Sequence, residues 1–482
     1  MSTGRSKTNN LNAFRFPDHE FDAYLIDQND RSLSCDCRLW LPKSASEDAH
    51  IELWVDASPE IPVFIGPGPL EIRGPSNQGI AITATEVWID SGPSRLWPAR
   101  KMARSQIIVS GIGELKKLRL NESSDGDHFF DFALSDCPYL NPQTIHFQEE
   151  SGKIEIETVA SFDVLWPNFG RIWFERRYHY YTRLDINGNI RTSTLSARLE
   201  NPSDKNFIDL TSTVHTMTDV CLISSLAARQ RVLVNEYRYQ NDKEISETWS
   251  QPLRRYNPSP QGSFDEGLVE KSDFVEYFKA ASIRFTSLEL IDQMRVREAI
   301  YALAPAFNLV SVESEFLALF SALEGLMRVD QPDNGEVAPE LWKIAKEVLE
   351  NTINDLELNL NDEQRKTMKA NLEGLRRPTF RSVLSKRLNA MNVQHSDLWP
   401  VFGSDALPGL REIRNLLAHG NRPDSVGSIG VATLHLRVLI ERILLSFLGF
   451  DAERTKTGVN RVPHCLLMGK ELDPLRKSLA AS

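Results

Sequence analysis

LREIRNLLAHGNRPD, residues 410–424, is the stretch on which the reading of the fold turns. At about 100° per residue, Leu410, Ile413, Leu416 and Leu417 share one face, while Arg411, Arg414, Asn415, Ala418 and His419 share the opposite one. A segment with this period is a helix packed on one side only. Gly420 suits the left-handed residue that ends such a helix. His419 then sits on the last turn, at the negative end of the helix dipole, a place suited to a histidine that donates a proton. A solvated helix face usually mixes charges of both signs, whereas this one gathers donors and one titratable nitrogen.

The same 3.6-residue period extends outward on both sides. It predicts helices over 288–306, 313–328, 339–356, 362–375, 380–391, 410–419 and 431–450. Prolines at 305, 332, 378 and 400 and Gly420 punctuate them. Upstream of Phe285 the period is two. IAITATEVWI (80–89), IHFQEESGKIEIETVASF (145–162), RIWFERRYHYYTRLDI (171–186) and RTSTLSARLE (191–200) alternate or are rich in β-branched and aromatic residues. Asn187-Gly188 predicts a tight hairpin, because both central positions of a primed turn favour positive φ.

The expected fold class is therefore α+β: an N-terminal antiparallel β-rich, sandwich-like region over 1–285, with room for two subdomains, then an all-α bundle over 286–455. The remainder, 456–482, reads as a polar, loosely attached C-terminal tail.

Composition narrows the function. With 41% hydrophobic and 25% charged residues, the 482-residue chain has the make-up of a soluble globular protein of two or three domains. A net charge of −11 argues against a protein that coats nucleic acid through a global field, so any such contact has to be a local basic patch. The five cysteines are scattered; Cys35-Asp36-Cys37 reads as alternating strand residues, with a metal or redox pair as the other reading. GPGPLEIRG (66–74) and GIGELK (111–116) lack the lysine and spacing of a phosphate loop and read as turns. No serine-hydrolase or zinc-protease motif is present. The polar start MSTGRSKTNN and the lack of a long apolar run predict a cytoplasmic protein with no membrane partner.

Arg414 and His419 lie about 140° apart around the helix axis, so within one chain their side chains diverge. If this face meets its copy across a twofold axis, the arginine of one chain approaches the histidine of the other, with Ala418 permitting close contact. Spacing alone also leaves open a helix-end cap with solvated or acid-paired arginines.

RNLLAH (414–419), within LREIRNLLAHG, resembles the Arg-Asn-x-x-x-His signature of HEPN domains, helical modules of which many are ribonucleases. EFLALFSALEGLMR (315–328) resembles the glutamate-bearing helix that precedes this signature in ApeA-like HEPN proteins, bacterial anti-phage nucleases with a long N-terminal region of another kind. The resemblance covers residues 288–450 and the domain order.

It implies catalysis by Arg414 and His419, with Asn415 as the polar neighbour and Glu324 at the buried acidic position of the upstream helix. Glu324 borders a stripe of Phe316, Leu317, Phe320, Leu323 and Met327, where a carboxylate needs a partner such as Arg414. It also implies a metal-independent endoribonuclease without cofactor, acting as a homodimer or higher oligomer on RNA in abortive infection, with the β-rich region sensing a phage-derived trigger. The basic run RRPTFRSVLSKR (376–387), with Arg376, Arg377 and Arg381, and Arg411 on the signature helix are the candidate RNA contacts; a solvated helix face is the other reading. Two rival functions remain: a HEPN-like dimer that binds RNA or protein without cutting, and a ligand- or carbohydrate-binding β-domain carried on a helical dimerisation domain.

Overall fold

The computed structural model describes residues 19–27, 29–40, 50–56, 70–75, 80–89, 95–97, 102–109, 112–118, 129–135, 137–140, 145–150, 153–158, 162–167, 169–183, 188–200, 210–240, 244–250, 267–304, 311–328, 338–355, 361–376, 379–404, 407–420, 425–462 and 467–480. The chain divides into two compact units, Met1–Ile283 with Ala306–Asn308, and Arg284–Pro305 with Leu309–Ser482. Antiparallel strands dominate the first; helices build the second.

Six strands of the first unit form a closed ring. These are β1 (His19–Ile26), β2 (Ser32–Trp40), β3 (His50–Asp56), β4 (Leu70–Pro75), β5 (Ile80–Ile89) and β7 (Met102–Val109), with the short β6 (Arg95–Trp97) paired to β7. The hydrogen-bonded order runs β1–β2–β3–β7–β5–β4 and back to β1, every pair antiparallel. Period-two alternation turns Phe21, Ala23 and Leu25 of β1 and Cys35, Cys37 and Leu39 of β2 inward, to meet Ile51, Leu53, Leu70, Ile72, Ile82, Ala84 and Val87. Ala84 and Val87 are three apart yet both buried, because a bulge in the β4–β5 ladder shifts the register between Leu70 and Ile72.

β8 (Ile112–Leu118) pairs with the other half of β5 and hands the ladder to β16 (Glu244–Ser250), then to β15 (Val234–Gln240), β9 (Phe129–Leu134), β14 (Gly188–Glu200), β13 (Gly170–Arg183) and β12 (Phe162–Trp166). β10 (Ile145–Glu150) and β11 (Lys153–Thr158) form a separate hairpin.

Several expectations change here. Fourteen of the described strands form one continuous antiparallel ladder, and six of them close into a ring because β5 pairs with β7 as well as β8. The β13–β14 hairpin is present, but Gly188 already pairs with Arg183 across the ladder, and Asn187 lies outside the described residues. Leu70–Pro75 and Ile112–Leu118, read as turns, are strands. Leu210–Ala228 is a helix, α1, inside the β-rich half, where the sequence reading placed no helix. Its buried Ser224 and Ser225 hydroxyls donate back to the carbonyls of Val220 and Cys221, at 2.8 and 2.7 Å, so they bring no unsatisfied group into the core. Cys35 and Cys37 are core residues of the ring, thiols 3.7 Å apart; the Cys35 contact and burial push the Cys37 thiol up and keep it protonated.

The helices that follow are α2 (Phe274–Ser287), α3 (Leu290–Leu303), α4 (Val312–Met327), α5 (Pro339–Asp355), α6 (Asp362–Arg376), α7 (Phe380–Ala390), α8 (Leu410–Ala418), α9 (Val426–Phe447) and α10 (Asp473–Ala480). α4 and α9 are the centre of the second unit: α3, α7 and α8 pack on α4, and α3, α8 and α10 on α9. Ser311 caps α4 by accepting the Ser314 N–H at 3.2 Å, and Phe316, Leu319, Phe320, Leu323, Leu326 and Met327 line its buried side. Each such side chain contributes about 1.5–3 kcal/mol on burial. α9 is buried nearly all round, as a central helix must be, its buried polar residues including His435 and Arg442. Arg437 of α9 donates to Glu315 of α4 at 3.0 Å and to the Leu303 carbonyl at the end of α3 at 2.9 Å, which fixes their register.

The described residues from 456 onward, expected to hang loosely, are packed. Thr457 is buried, and Arg476 of α10 donates to the carbonyls of Pro408 and Leu407 at 3.1 and 3.0 Å. Their polar composition hid a helix whose one arginine satisfies two backbone carbonyls. Among the described residues no helix is long and apolar enough to cross a membrane.

Candidate functional site

α8 is set in place by the loop before it. Trp399 is 1% exposed; its backbone N–H donates to His435 Nδ1 and its indole to the Pro408 carbonyl, both at 3.2 Å. The Arg476 guanidinium grips the same stretch from α10. The N–H groups of Gly409 and Gly403 donate to the Glu412 carboxylate at 2.9 and 2.7 Å, and those of Leu410 and Arg411 donate to the Pro400 and Val401 carbonyls at 3.0 and 2.9 Å. Three of the donors that open the helix, those of Gly409, Leu410 and Arg411, are thereby occupied. Gly409 is required: an added Cβ would lie 2.5 Å from the Gly403 nitrogen. At the other end the His419 N–H reaches the Asn415 carbonyl and the Gly420 N–H the Leu417 carbonyl, both at 3.1 Å, with Gly420 at φ 76°. The glycine stop read from the sequence is where the helix ends.

The two faces are also as the period indicated. Leu410 and Ile413 are buried, Leu416 and Leu417 half-buried, and Arg411, Asn415, Ala418 and His419 exposed. Arg414 Nη2 lies 3.3 Å from Glu324 Oε2 of α4, and its Nη1 donates to Asn415 Oδ1, also at 3.3 Å. Two candidate residues, Glu324 of α4 and Asn415 of α8, thus converge on the guanidinium of a third, Arg414. Glu324, however, is not buried: its side chain is 39% exposed and that of Arg414 38%. It sits at the rim of the α4 stripe, where Leu323 and Met327 are the buried neighbours. Both contacts are longer than about 2.7–2.9 Å, the range of a tight charge-assisted bond, so the pair orients the arginine more than it stabilises the fold.

His419 is not brought to Arg414. Among the described residues its side chain makes no hydrogen bond or ion pair with Arg414, Asn415 or Glu324, as their divergence around the axis requires. Of the candidate RNA contacts, Arg381 is exposed, with its guanidinium 4.6 Å from the centre of the Phe402 ring. Arg411 is exposed one turn before Arg414. Arg377 and the Arg376 side chain lie outside the described residues.

Beneath the site lies a second polar cluster that the sequence did not reveal. Arg442 of α9, 2% exposed, binds Asp397 through two contacts of 2.8 Å and donates to the carbonyls of Thr457 at 2.7 Å and Gln394 at 2.8 Å. Burial raises the Asp397 carboxyl, but the Arg442 hydrogen bond and charge outweigh it and hold the group below its ordinary value. His435 is fully buried, which lowers its pKa to about 4 against the opposing effects of the Leu467 backbone and Asp397. Its Nδ1 accepts a backbone N–H, so the imidazole is neutral. The partners are 45 and 36 residues apart, and no local pattern links them. Glu412, three residues beyond Gly409, did carry a local signal, that of a capping carboxylate.

Among the described residues no group of three or more His, Cys, Asp or Glu side chains is arranged to hold a metal ion. Comparison with family models, with curated proteins and with solved structures finds no match to the chain.

Proposed function

We propose that the chain is a metal-independent endoribonuclease of the HEPN type, cytoplasmic and active as a homodimer, that serves anti-phage defence by abortive infection. The observation that supports this reading is the single guanidinium, Arg414, oriented by Glu324 and Asn415 at 3.3 Å, on a solvent-facing helix that ends in His419.

RNA carries its own nucleophile. The 2′-oxygen attacks the adjacent phosphorus while a base removes its proton, the P–O5′ bond breaks, and an acid protonates the departing 5′-oxygen. The products are a 2′,3′-cyclic phosphate and a 5′-hydroxyl. Arg414 offsets the charge that develops on the phosphorane, a role suited to its planar fork. His419 supplies the proton-transfer group. Two such groups on opposite sides of the phosphorus serve an in-line transfer, and a second copy of the chain supplies the other histidine together with an arginine that can face the first one. The N-terminal β region is assigned the sensing of a phage-derived trigger.

The decisive experiment is to incubate the purified protein with oligoribonucleotide in EDTA, beside the Arg414→Ala/His419→Ala double variant. Cutting that ends in cyclic phosphate, fails in the double variant and fails where the scissile 2′-hydroxyl is replaced by hydrogen meets the proposal. Cutting at the deoxy site, or only with added metal, would mean a metal-activated water and would falsify the mechanism.

A further inference from the structure

Residues 376–387 hold five arginines and lysines and no carboxylate, in a chain whose net charge is −11. One of them has internal work: Arg387 donates to the Leu326 carbonyl at the end of α4 at 2.6 Å. Arg381 does not. Its guanidinium lies over Phe402, whose ring meets Phe380 edge-on at 5.8 Å. Phe402 follows Val401, the residue whose carbonyl accepts the Arg411 N–H at 2.9 Å. The first turn of α7, the 400–403 loop and the first turn of α8 thus gather Arg381, Phe402 and Arg411. They stand at the start of the helix whose later turns carry Arg414, Asn415 and His419, about 12 Å along its axis at 1.5 Å per residue. Glu412 is the one acid between 411 and 419, and it is occupied by the Gly403 and Gly409 N–H groups.

This chemistry fits a phosphodiester chain. An arginine stacked on an aromatic ring uses its flat face and keeps its in-plane N–H edges for an anion. At the opening of α8 the N–H groups of Gly409, Leu410 and Arg411 are already taken by Glu412, Pro400 and Val401, so the anion contacts of this region are assigned to side chains. Cationic groups interleaved with aromatic rings hold single strands without reading their sequence. We propose that Arg381, Phe402 and Arg411 form a phosphate-holding shelf that leads a single-stranded RNA along α8 toward His419. This deepens the ribonuclease reading and rests on it for the direction of the strand.

The test is fluorescence anisotropy with a labelled single-stranded oligoribonucleotide and the His419→Ala chain, from about 50 to about 200 mM salt. Adding Arg381→Glu and Arg411→Glu should weaken binding at least about tenfold at the lower salt. It should also flatten the log–log salt slope by about 1.4, two lost phosphate contacts at about 0.7 each for a single strand. Arg381→Lys, which keeps the charge but not the fork, should fall between, and an unchanged thermal midpoint shows that the variants fold.

Unchanged affinity and slope in the double variant overturn the shelf, as does failure of the His419→Ala chain to bind RNA at all. Displacement of the RNA by an acidic peptide at equal charge concentration also overturns it, in favour of an acidic protein partner. If the double variant loses binding and the unmodified protein does not cut RNA, the shelf stands and the nuclease reading falls. If the unmodified protein cuts and the double variant binds normally, the shelf falls and the nuclease stands.

Discussion

Two guanidinium–carboxylate pairs in the helical unit use the same chemical groups in opposite ways. Arg442 and Asp397 are 2% and 13% exposed and meet at 2.8 Å through two contacts, and two further donors of the arginine end on backbone carbonyls. Arg414 and Glu324 are 38% and 39% exposed and meet once, at 3.3 Å. The first pair uses four of the arginine's five N–H donors and joins α9 to the loop before α8. The second is open to water on the face that carries His419, with guanidinium edges an incoming anion can take. A nearly saturated pair holds a fold; an unsaturated one is available to a ligand. The predictions follow in order of their effect on stability, the quantity in which the two pairs should differ most.

Arg442→Met should be the most damaging change. It leaves the Asp397 carboxylate without its counter-charge and the carbonyls of Gln394 and buried Thr457 without this donor, and breaking a buried pair from one side costs about 3–5 kcal/mol. Denaturant titration of the full chain should show that loss in the transition of the helical unit. Asp397→Asn added to Arg442→Met should restore part of it, because the stranded charge is gone. A loss below about 1 kcal/mol would remove the distinction between the pairs.

Acid should attack the same cluster. His435 is neutral in the fold and titrates at about 4, against an ordinary 6.5, because burial disfavours its cation. Above 6.5 both folded and unfolded chains are unprotonated there and nothing is lost; as pH falls from 6.5 towards 4 only the unfolded chain takes up the proton, and stability drops by about 3 kcal/mol at most. Asp397, held below 3.8, adds to the loss as pH falls further. Protonated Nδ1 would also face the Trp399 N–H donor to donor. His435→Gln should flatten the stability profile between pH 6.5 and 4; an unchanged profile would place the acid sensitivity elsewhere.

Arg414→Ala should reverse the pattern of Arg442. An exposed pair is worth about 0–1 kcal/mol, so the denaturation midpoint should hardly move. RNA cleavage should fall by an amount comparable to the loss of one charge-stabilising donor, about 10²–10³-fold. Stability lost without activity lost would make Arg414 one more structural arginine.

What was readable in the sequence follows the same division between local and distant. The α8 faces, its glycine stop and the ends of α4, α5, α6 and α7 were legible within a residue or two, because a 3.6-residue period and capping residues act over one or two turns. α9 begins at Val426 rather than 431, its first turns carrying Gly427 and Gly430, residues of low helix propensity. α1 was hidden by Thr211, Thr213, Val214, Thr216 and Thr218, which favour strands until tertiary burial decides otherwise. The ring closure through β5 and β7, and the links from Arg442 to Asp397 and Trp399 to His435, join residues no local pattern connects. Arg414 and Glu324 are 90 residues apart, and their pairing came from resemblance, not from spacing.

The smallest stability effect belongs to Glu324→Gln, and it gives the finest test. The substitution keeps the shape and one acceptor oxygen but removes the charge. Because the carboxylate is 39% exposed, water replaces most of what is lost, and thermal stability should change by no more than about 0.5 kcal/mol. If Glu324 only decorates the rim, activity is unchanged too. If it holds the guanidinium for a phosphorane, the arginine gains freedom and cleavage slows, and the effect vanishes in an Arg414→Ala background because the group being oriented is gone. A double-mutant cycle on cleavage rate measures that coupling directly. Additive losses from Glu324→Gln and Arg414→Ala would mean that the 3.3 Å contact has no part in the chemistry, whatever the protein turns out to cut.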